Sequence, residues 1–428
     1  MKEILNDSKI KYYFLFIIII ISFYRSPYIF LNGRFGGEEG SKYFVYVWEN
    51  GFLEGLFYFE NRAGYFNLIA NVLVSTSSLI KIEFSPLITV YGSFIFILLP
   101  IYFILFRKSV LFNTNLKKYL GSMLIFITPP LVPEVWVVSI SSQVYLCISS
   151  IIILFMVNLG NFQKKINCII VFIAGFSGVY TCCLLPLFFI NYYLKKNLYN
   201  FINFIILSFS TGIQLYFVLQ AKKNHYLNDD VLVVDLNLDI IINYIYNILA
   251  KPIFGRQITH FIWNDIILLF PLINYDHVLL LLFFSLTIFL VYNYKNLFRI
   301  MIKDKILIYL IYIFLTVSIL VLIGADSQYT GGRYAVIPGV TLLLIILYLA
   351  FETQGKKIKL FFIVLISISL VSGINEFRPP TKNVKHQYIK YLDCVNCPEW
   401  KNEIKKWKND SNYTIKIWPY PKKTMTLK

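Results

Sequence analysis

Long apolar runs separated by short basic connections constrain this chain more than any other feature. A helix crosses a bilayer with about 20 apolar residues, and with fewer where it is packed inside protein. Runs of that kind lie at 12–31, 87–106, 119–132, 143–159, 201–220, 277–293, 306–323, 335–351 and 360–373. The run 166–194 exceeds one span, and Gly175-Phe176-Ser177-Gly178 interrupts it. That spacing predicts two short helices meeting at a tight turn, with Pro186 kinking the return leg. The pattern as a whole predicts an all-α polytopic membrane protein with about 11 transmembrane helices.

Composition agrees, since 57% of the residues are hydrophobic and 15% charged, which is too apolar for a water-soluble domain. A net charge of +17 raises the question of nucleic acid. The basic residues fall in small clusters between apolar runs and form no long stripe, so membrane topology explains the excess and no nucleic-acid partner is expected. Residues 12–23 follow Lys2, Lys9 and Lys11 and imitate a signal peptide, but Tyr24 to Leu31 prolong the run without a small-residue cleavage site. The segment reads as an uncleaved first helix. Cys147, Cys168, Cys182 and Cys183 lie in apolar runs and read as packing residues, whereas Cys394 and Cys397 form a lone CxxC better suited to a disulfide than to a metal.

Charge then orients the chain. Residues 63–80 are long enough to cross but carry Asn67, Asn71 and a Ser/Thr cluster at Ser75 to Ser78. If they stay on one side, the connections holding Lys2 to Lys11, Arg107 to Lys118, Lys164-Lys165, Lys195-Lys196, Lys295 to Lys305 and Lys356 to Lys359 all share a side, which the positive-inside rule makes cytoplasmic. The expected topology has a cytoplasmic N-terminus, interfacial helices in a first outer loop at 32–86, a long outer segment at 221–276, and a transmembrane domain covering 1–373. A short tail, 374–428, faces outward. Leu236 to Ile273 read as a surface helix, and Asp229, Asp230, Asp235 and Asp239 as an acidic patch beside it.

Outer stretches carry the candidate chemistry. Glu38 and Glu39, flanked by glycines, cannot lie unpaired in hydrocarbon and must meet water or a polar cavity. Carboxylates at the edge of a low-dielectric cavity suit general-base work, and the competing reading pairs one of them with Arg34 or Lys42. Glu134 follows Pro129, Pro130 and Pro133 and precedes Trp136, which places it at an interface where it orients an acceptor, helps hold a divalent cation, or merely decorates the surface. Arg333, after Gly331-Gly332 and before Tyr334, suits a phosphate or a pair with Asp326. His225, His260, His277 and His386 show no metal-ligand spacing, and Walker, Rossmann and GxSxG patterns are absent.

Taken together, EEG at Glu38 to Gly40, AGY at Ala63 to Tyr65, PEV at Pro133 to Val135, SSQ at Ser141 to Gln143, the GFSG turn with Pro186, GGRY at Gly331 to Tyr334 and IWP at Ile417 to Pro419 resemble bacterial polytopic glycosyltransferases of the GT-C type. The resemblance implies an inverting hexosyl- or pentosyltransferase in the bacterial inner membrane. Its donor is a polyprenyl-phosphate-linked sugar, and its acceptor a cell-envelope glycan, lipid or protein. It assigns Glu38, Glu39 and Glu134 to catalysis and Arg333, Tyr334, Gln143 and Tyr65 to substrate, and it allows a divalent cation, Mg or Mn. Many relatives carry Asp in the first loop where this chain has Glu-Glu. A transporter or flippase of lipid-linked glycans, or a polymerase or ligase, would use the same kind of cavity. A transporter should show internal repeats and charged mid-membrane helices, neither of which is evident here. A ligase should show an arginine-rich outer loop, whereas 221–276 holds only Arg256.

Overall fold

The computed structural model describes residues 8–128, 133–224, 240, 243–261, 304–324, 332–377, 399–418 and 423–427. Cys394, Cys397, Asp326, the aspartates at 229–239 and the run 277–293 lie outside the described residues. The chain is an all-α membrane protein. Among the described residues five helices are long and apolar enough to cross a bilayer: Ser85–Phe106, Leu198–Lys223, Lys305–Ile323, Gly332–Glu352 and Lys356–Phe377. Several turn large apolar side chains outward, for example Ile95, Leu215, Leu219, Leu315 and Leu360, as surfaces that meet lipid do.

Contacts divide the chain into two units, Met1–Lys108 with Val132–Asn228 and Arg378–Lys428, and Ser109–Leu131 with Asp229–Phe377. In the first unit the expected span 12–31 is two helices, Ser8–Arg25 and Pro27–Asn32. The break falls at Ser26, whose φ of −145° and ψ of 60° leave the helical region, and Pro27 restarts the helix at a position where its missing N–H costs nothing. Phe30 then stacks on Phe23 at 4.3 Å, and the Tyr91 hydroxyl donates to the Phe30 carbonyl at 3.0 Å.

Residues 63–80 form no helix of spanning length. The helix there, Leu68–Ser78, has 11 residues, which reach about 16 Å, half the roughly 30 Å of a hydrocarbon layer. Asn67 caps it by accepting from the Ala70 N–H, and its amide donates to the Ile140 carbonyl at 3.1 Å. Ser177 joins the arrangement as an acceptor: its hydroxyl takes the Ile69 N–H at 3.1 Å. Gln214 closes the same corner by donating to the carbonyls of Phe66 and Gly175 and accepting the Phe66 N–H.

The GFSG sequence does end one helix, Asn161–Phe176, and Gly178 takes a φ of +123° that a side chain resists. Pro186, expected to kink the return, instead sits in the first turn of Leu185–Lys195, where proline fits without distortion. The helices Ser85–Phe106 and Ser142–Leu154 both start beside the first loop. Their far ends lie where Tyr12 meets Phe106 at 4.7 Å and the Val157 N–H reaches the Lys108 carbonyl at 3.0 Å.

The tail is an integral part of the first unit. Trp400, Ile404, Ile415, Ile417, Met425 and Leu427 share one buried apolar cluster with Phe35, Phe44, Val47, Ala70, Val74 and Ile140. Trp400 donates its indole N–H to the Ile82 carbonyl at 2.9 Å, the Gly37 N–H meets the Trp418 carbonyl at 2.6 Å, and Lys408 pairs with Glu83 at 2.5 Å. Glu403, fully buried, accepts from Lys406, Tyr413 and the Lys416 N–H. Burial opposes its charge, but those three donors outweigh burial and hold the carboxyl below its ordinary value.

In the second unit Lys117 pairs with Glu352 at 2.5 Å, and Gly373 lies so close to Ile127 and Thr128 that a β-carbon there would sit 2.6 Å from a Thr128 methyl. The expected surface helix 236–273 is broken where it is described. Gly255 adopts φ 75° and ψ 170° inside Lys251–His260, and the Glu376 carboxylate caps the resumed helix by accepting the N–H groups of Arg256 and Gln257.

Candidate functional site

Glu38 and Glu39 are neighbours in sequence with opposite surroundings. Glu39 opens a π-helical segment, Glu39–Phe44, and is wholly buried. One carboxylate oxygen accepts the Gly36 N–H at 2.9 Å and the other the Ser139 N–H at 2.8 Å. The carboxylate therefore ties the first loop to the turn preceding Ser142–Leu154, and neither Arg34 nor Lys42 supplies its donors. Burial pushes its carboxyl above the ordinary value, while the donors from Ser139 and Gly36 and the Thr89 hydroxyl pull the other way. Glu38 is half-buried and open to solvent.

Glu38 lies within electrostatic reach of Tyr43, which sits in a tyrosine-rich cluster. Tyr43 is buried, and burial, reinforced by Tyr65, Tyr58, Glu60 and Glu38 around it, holds its phenol well above the usual range. Tyr58 donates to Glu60 and meets Tyr43 edge-on at 5.1 Å. Tyr65 and Gln143, 78 residues apart, come together: the Gln143 amide donates to the Tyr65 hydroxyl at 2.9 Å and to the Ile140 carbonyl at 3.2 Å. Gly178 permits this, because a β-carbon there would stand 1.8 Å from the Gln143 amide oxygen. Tyr65, held by Gln143, and Glu38 both lie within electrostatic reach of Tyr43 in the first unit.

Glu134 is exposed on the short turn Pro133–Val135, whose carbonyl at Glu134 accepts the Ser141 hydroxyl at 2.8 Å. The aromatic neighbour expected to mark an interface, Trp136, is instead buried, with the Arg25 guanidinium 4.3 Å above its ring and its indole N–H donating to the Ser26 hydroxyl at 2.8 Å. Arg25 is the residue that sequence reasoning missed. A lone cation inside the run 12–31, immediately before Ser26-Pro27, was the available signal, since a buried guanidinium demands partners.

Arg333 and Tyr334 belong to the second unit. They form the short turn Gly332–Ala335 that leads into Val336–Glu352, both half-buried, with the guanidinium 5.2 Å from the Tyr334 ring centre and 3.3 Å from its hydroxyl. That geometry sets the guanidinium charge within cation–π range of an aromatic ring, as arginine favours.

Among the described residues no three His, Cys, Asp or Glu side chains gather closely enough to share a cation. Both oxygens of Glu39 already accept backbone donors, so the donor set here does not fit the Mg or Mn that the resemblance allows. In comparisons with protein-family models, curated proteins and solved structures, none matches this chain.

Proposed function

We propose that this chain is a GT-C type glycosyltransferase of a bacterial cytoplasmic membrane, with about eleven spans and its first loop and tail on the outer face. It moves a sugar from a polyprenyl-phosphate donor to a glycan, lipid or protein acceptor with inversion at the anomeric carbon. The observation that carries the reading is the division of labour in the acidic pair: Glu39 is spent on two backbone N–H groups, whereas Glu38 is half-buried and, like Tyr65, lies within electrostatic reach of Tyr43. A carboxylate fixed in position by its neighbour's hydrogen bonds is preorganised for proton abstraction.

In the reaction, Glu38 takes the proton of the acceptor hydroxyl as that oxygen attacks the anomeric carbon. The bond from that carbon to the phosphate oxygen breaks, and its electron pair leaves with the polyprenyl phosphate. Protonated Glu38 then returns its proton to water. Tyr65, held by Gln143, orients the acceptor. Sidedness follows from charge, since the end of the first unit remote from the loop carries Lys9, Lys11, Arg107 and Lys108, which the positive-inside rule keeps cytoplasmic.

The test is transfer by the purified chain, in lipid, from a panel of polyprenyl-phosphate hexoses and pentoses to a mixed envelope-glycan acceptor. The reading expects a new glycosidic bond and free polyprenyl phosphate from at least one donor. Movement of an intact lipid-linked sugar across the bilayer without cleavage would identify a flippase instead.

A further inference from the structure

The tail helix Trp400–Asn409 sorts its charges onto two flanks. Trp400, Glu403 and Ile404 turn inward, with Trp407 half-buried beside them. Lys401, Lys405 and Lys408 recur at spacings of four and three and are all exposed, so they form a stripe along one side of that buried face. Lys406 and its partner Glu403 fall on the other side, and Asp410 follows them in the same register. The lysine stripe is held against the start of a span by three consecutive residues. The Ile82 carbonyl accepts the Trp400 indole N–H at 2.9 Å, Glu83 pairs with Lys408 at 2.5 Å, and the Lys401 amine lies 5.0 Å from the Phe84 ring centre. The span Ser85–Phe106 begins at the next residue, and its 22 residues rise about 33 Å, enough for a hydrocarbon layer. The stripe therefore lies at headgroup depth. Phe84 also heads the lipid-facing side of that span, since Phe84, Tyr91, Ile95 and Tyr102 recur at helical spacing and each is 40% or more exposed.

An exposed apolar stripe with amines at its head matches a lipid whose headgroup is an anion. We propose that the Lys401–Lys405 edge of the tail helix binds the phosphate of an anionic phospholipid such as phosphatidylglycerol, with an acyl chain along Tyr91 and Ile95. Among the described residues Glu83 is the carboxylate that meets the stripe, and Lys408 is committed to it. Lys401 and Lys405 remain for the phosphate, and Lys81, exposed on the loop before Glu83, adds positive charge. Lysine amines on long stems reach such a phosphate while their carbons lie along apolar surface, as Lys401 does on Phe84. The same helix sinks Trp400 and Ile404 into the cluster that contains Phe35 and Phe44 of the first loop, so a bound headgroup also braces the docking of the tail on that loop. This site involves neither Glu38 nor sugar transfer and stands apart from that reading.

The experiment uses the full chain in mixed micelles of phosphatidylglycerol and phosphatidylcholine, with native mass spectrometry reading which lipid stays bound. Phosphatidylglycerol should be retained in preference to phosphatidylcholine. Lys405→Gln and Lys401→Gln should each weaken its retention about fivefold, as removal of one basic residue from an anionic surface does. Lys406→Gln makes the same change in net charge one residue along, on the other flank, and should retain the lipid as wild type does. Thermal midpoints report whether each variant is folded, and should one stripe variant fail to fold, the other decides. Soluble glycerol 3-phosphate, which has the phosphate without the chains, should not displace the lipid. Phosphatidylcholine held as tightly as phosphatidylglycerol, equal losses in Lys405→Gln and Lys406→Gln, or wild-type retention in the folded stripe variants would each overturn the proposal. So would displacement by glycerol 3-phosphate, which would reveal a site for free phosphate instead. The readout is binding alone, so its failure would leave the transfer reading standing.

Discussion

Replacing Glu39 by glutamine keeps the side-chain volume and removes the charge from a site with two backbone donors, Gly36 at 2.9 Å and Ser139 at 2.8 Å. Glutamine offers one carbonyl oxygen and turns its amide NH₂ toward the other N–H. One buried donor is then unsatisfied, which costs about 1–3 kcal/mol, and a charge-assisted bond becomes a neutral one. Relief of the buried charge offsets part of this. A net loss of about 2 kcal/mol is expected, or roughly 4–8 °C in the unfolding midpoint for units of this size. The pH dependence carries a sign. Burial raises the folded carboxyl above its ordinary value, so the folded chain holds that proton more tightly than the unfolded chain does. Its contribution to stability is complete below the ordinary glutamate value and is lost as pH rises through the raised value. The variant has no such carboxyl and loses that component of the slope. Thermal unfolding in detergent, followed by tryptophan fluorescence from about pH 4 to about pH 8, reads both effects. A wild-type midpoint with the wild-type slope would refute the role of Glu39 as a tie between loop and turn.

Other substitutions test neighbouring parts of the account. Gly178→Ala must displace the Gln143 amide from 1.8 Å at a φ of +123°, so it should cost about 2 kcal/mol or more and slow transfer by loosening Tyr65. Trp400→Ala should cost about 3–5 kcal/mol and expose the tail to limited proteolysis. Lys408→Ala breaks only a solvent-exposed pair with Glu83 and should change stability by less than about 1 kcal/mol. Gly255→Ala would place a β-carbon 2.7 Å from the Glu376 carboxylate at a positive φ, and hydrogen exchange at Arg256 and Gln257 should accelerate as their cap is lost.

Spans were readable from the sequence because burial in lipid is written as uninterrupted apolar residues, and the runs at 87–106, 201–220, 306–323, 335–351 and 360–373 all appear as helices within a few residues. The break in 12–31 was hidden because Tyr28, Ile29 and Phe30 continue the apolar pattern past Pro27, while the cause is a local backbone turn and a buried Arg25. The docking of the tail was not legible at all. It joins Ile82 to Trp400 and Gly37 to Trp418 across more than three hundred positions, and a basic, polar stretch advertises no such partner. The acidic pair was found, but adjacent carboxylates look alike in a sequence. Only the arrival of the Ser139 N–H, 100 residues on, separates the buried member from the accessible one.

Turnover of Glu38→Gln measured beside its thermal midpoint bears most directly on the central claim that Glu39 holds the loop and Glu38 does the chemistry. Loss of a general base lowers the rate by about 10²–10⁴-fold, and a half-exposed side chain should leave the midpoint within about 2 °C of wild type. Transfer at the wild-type rate by a folded Glu38→Gln chain would contradict the account.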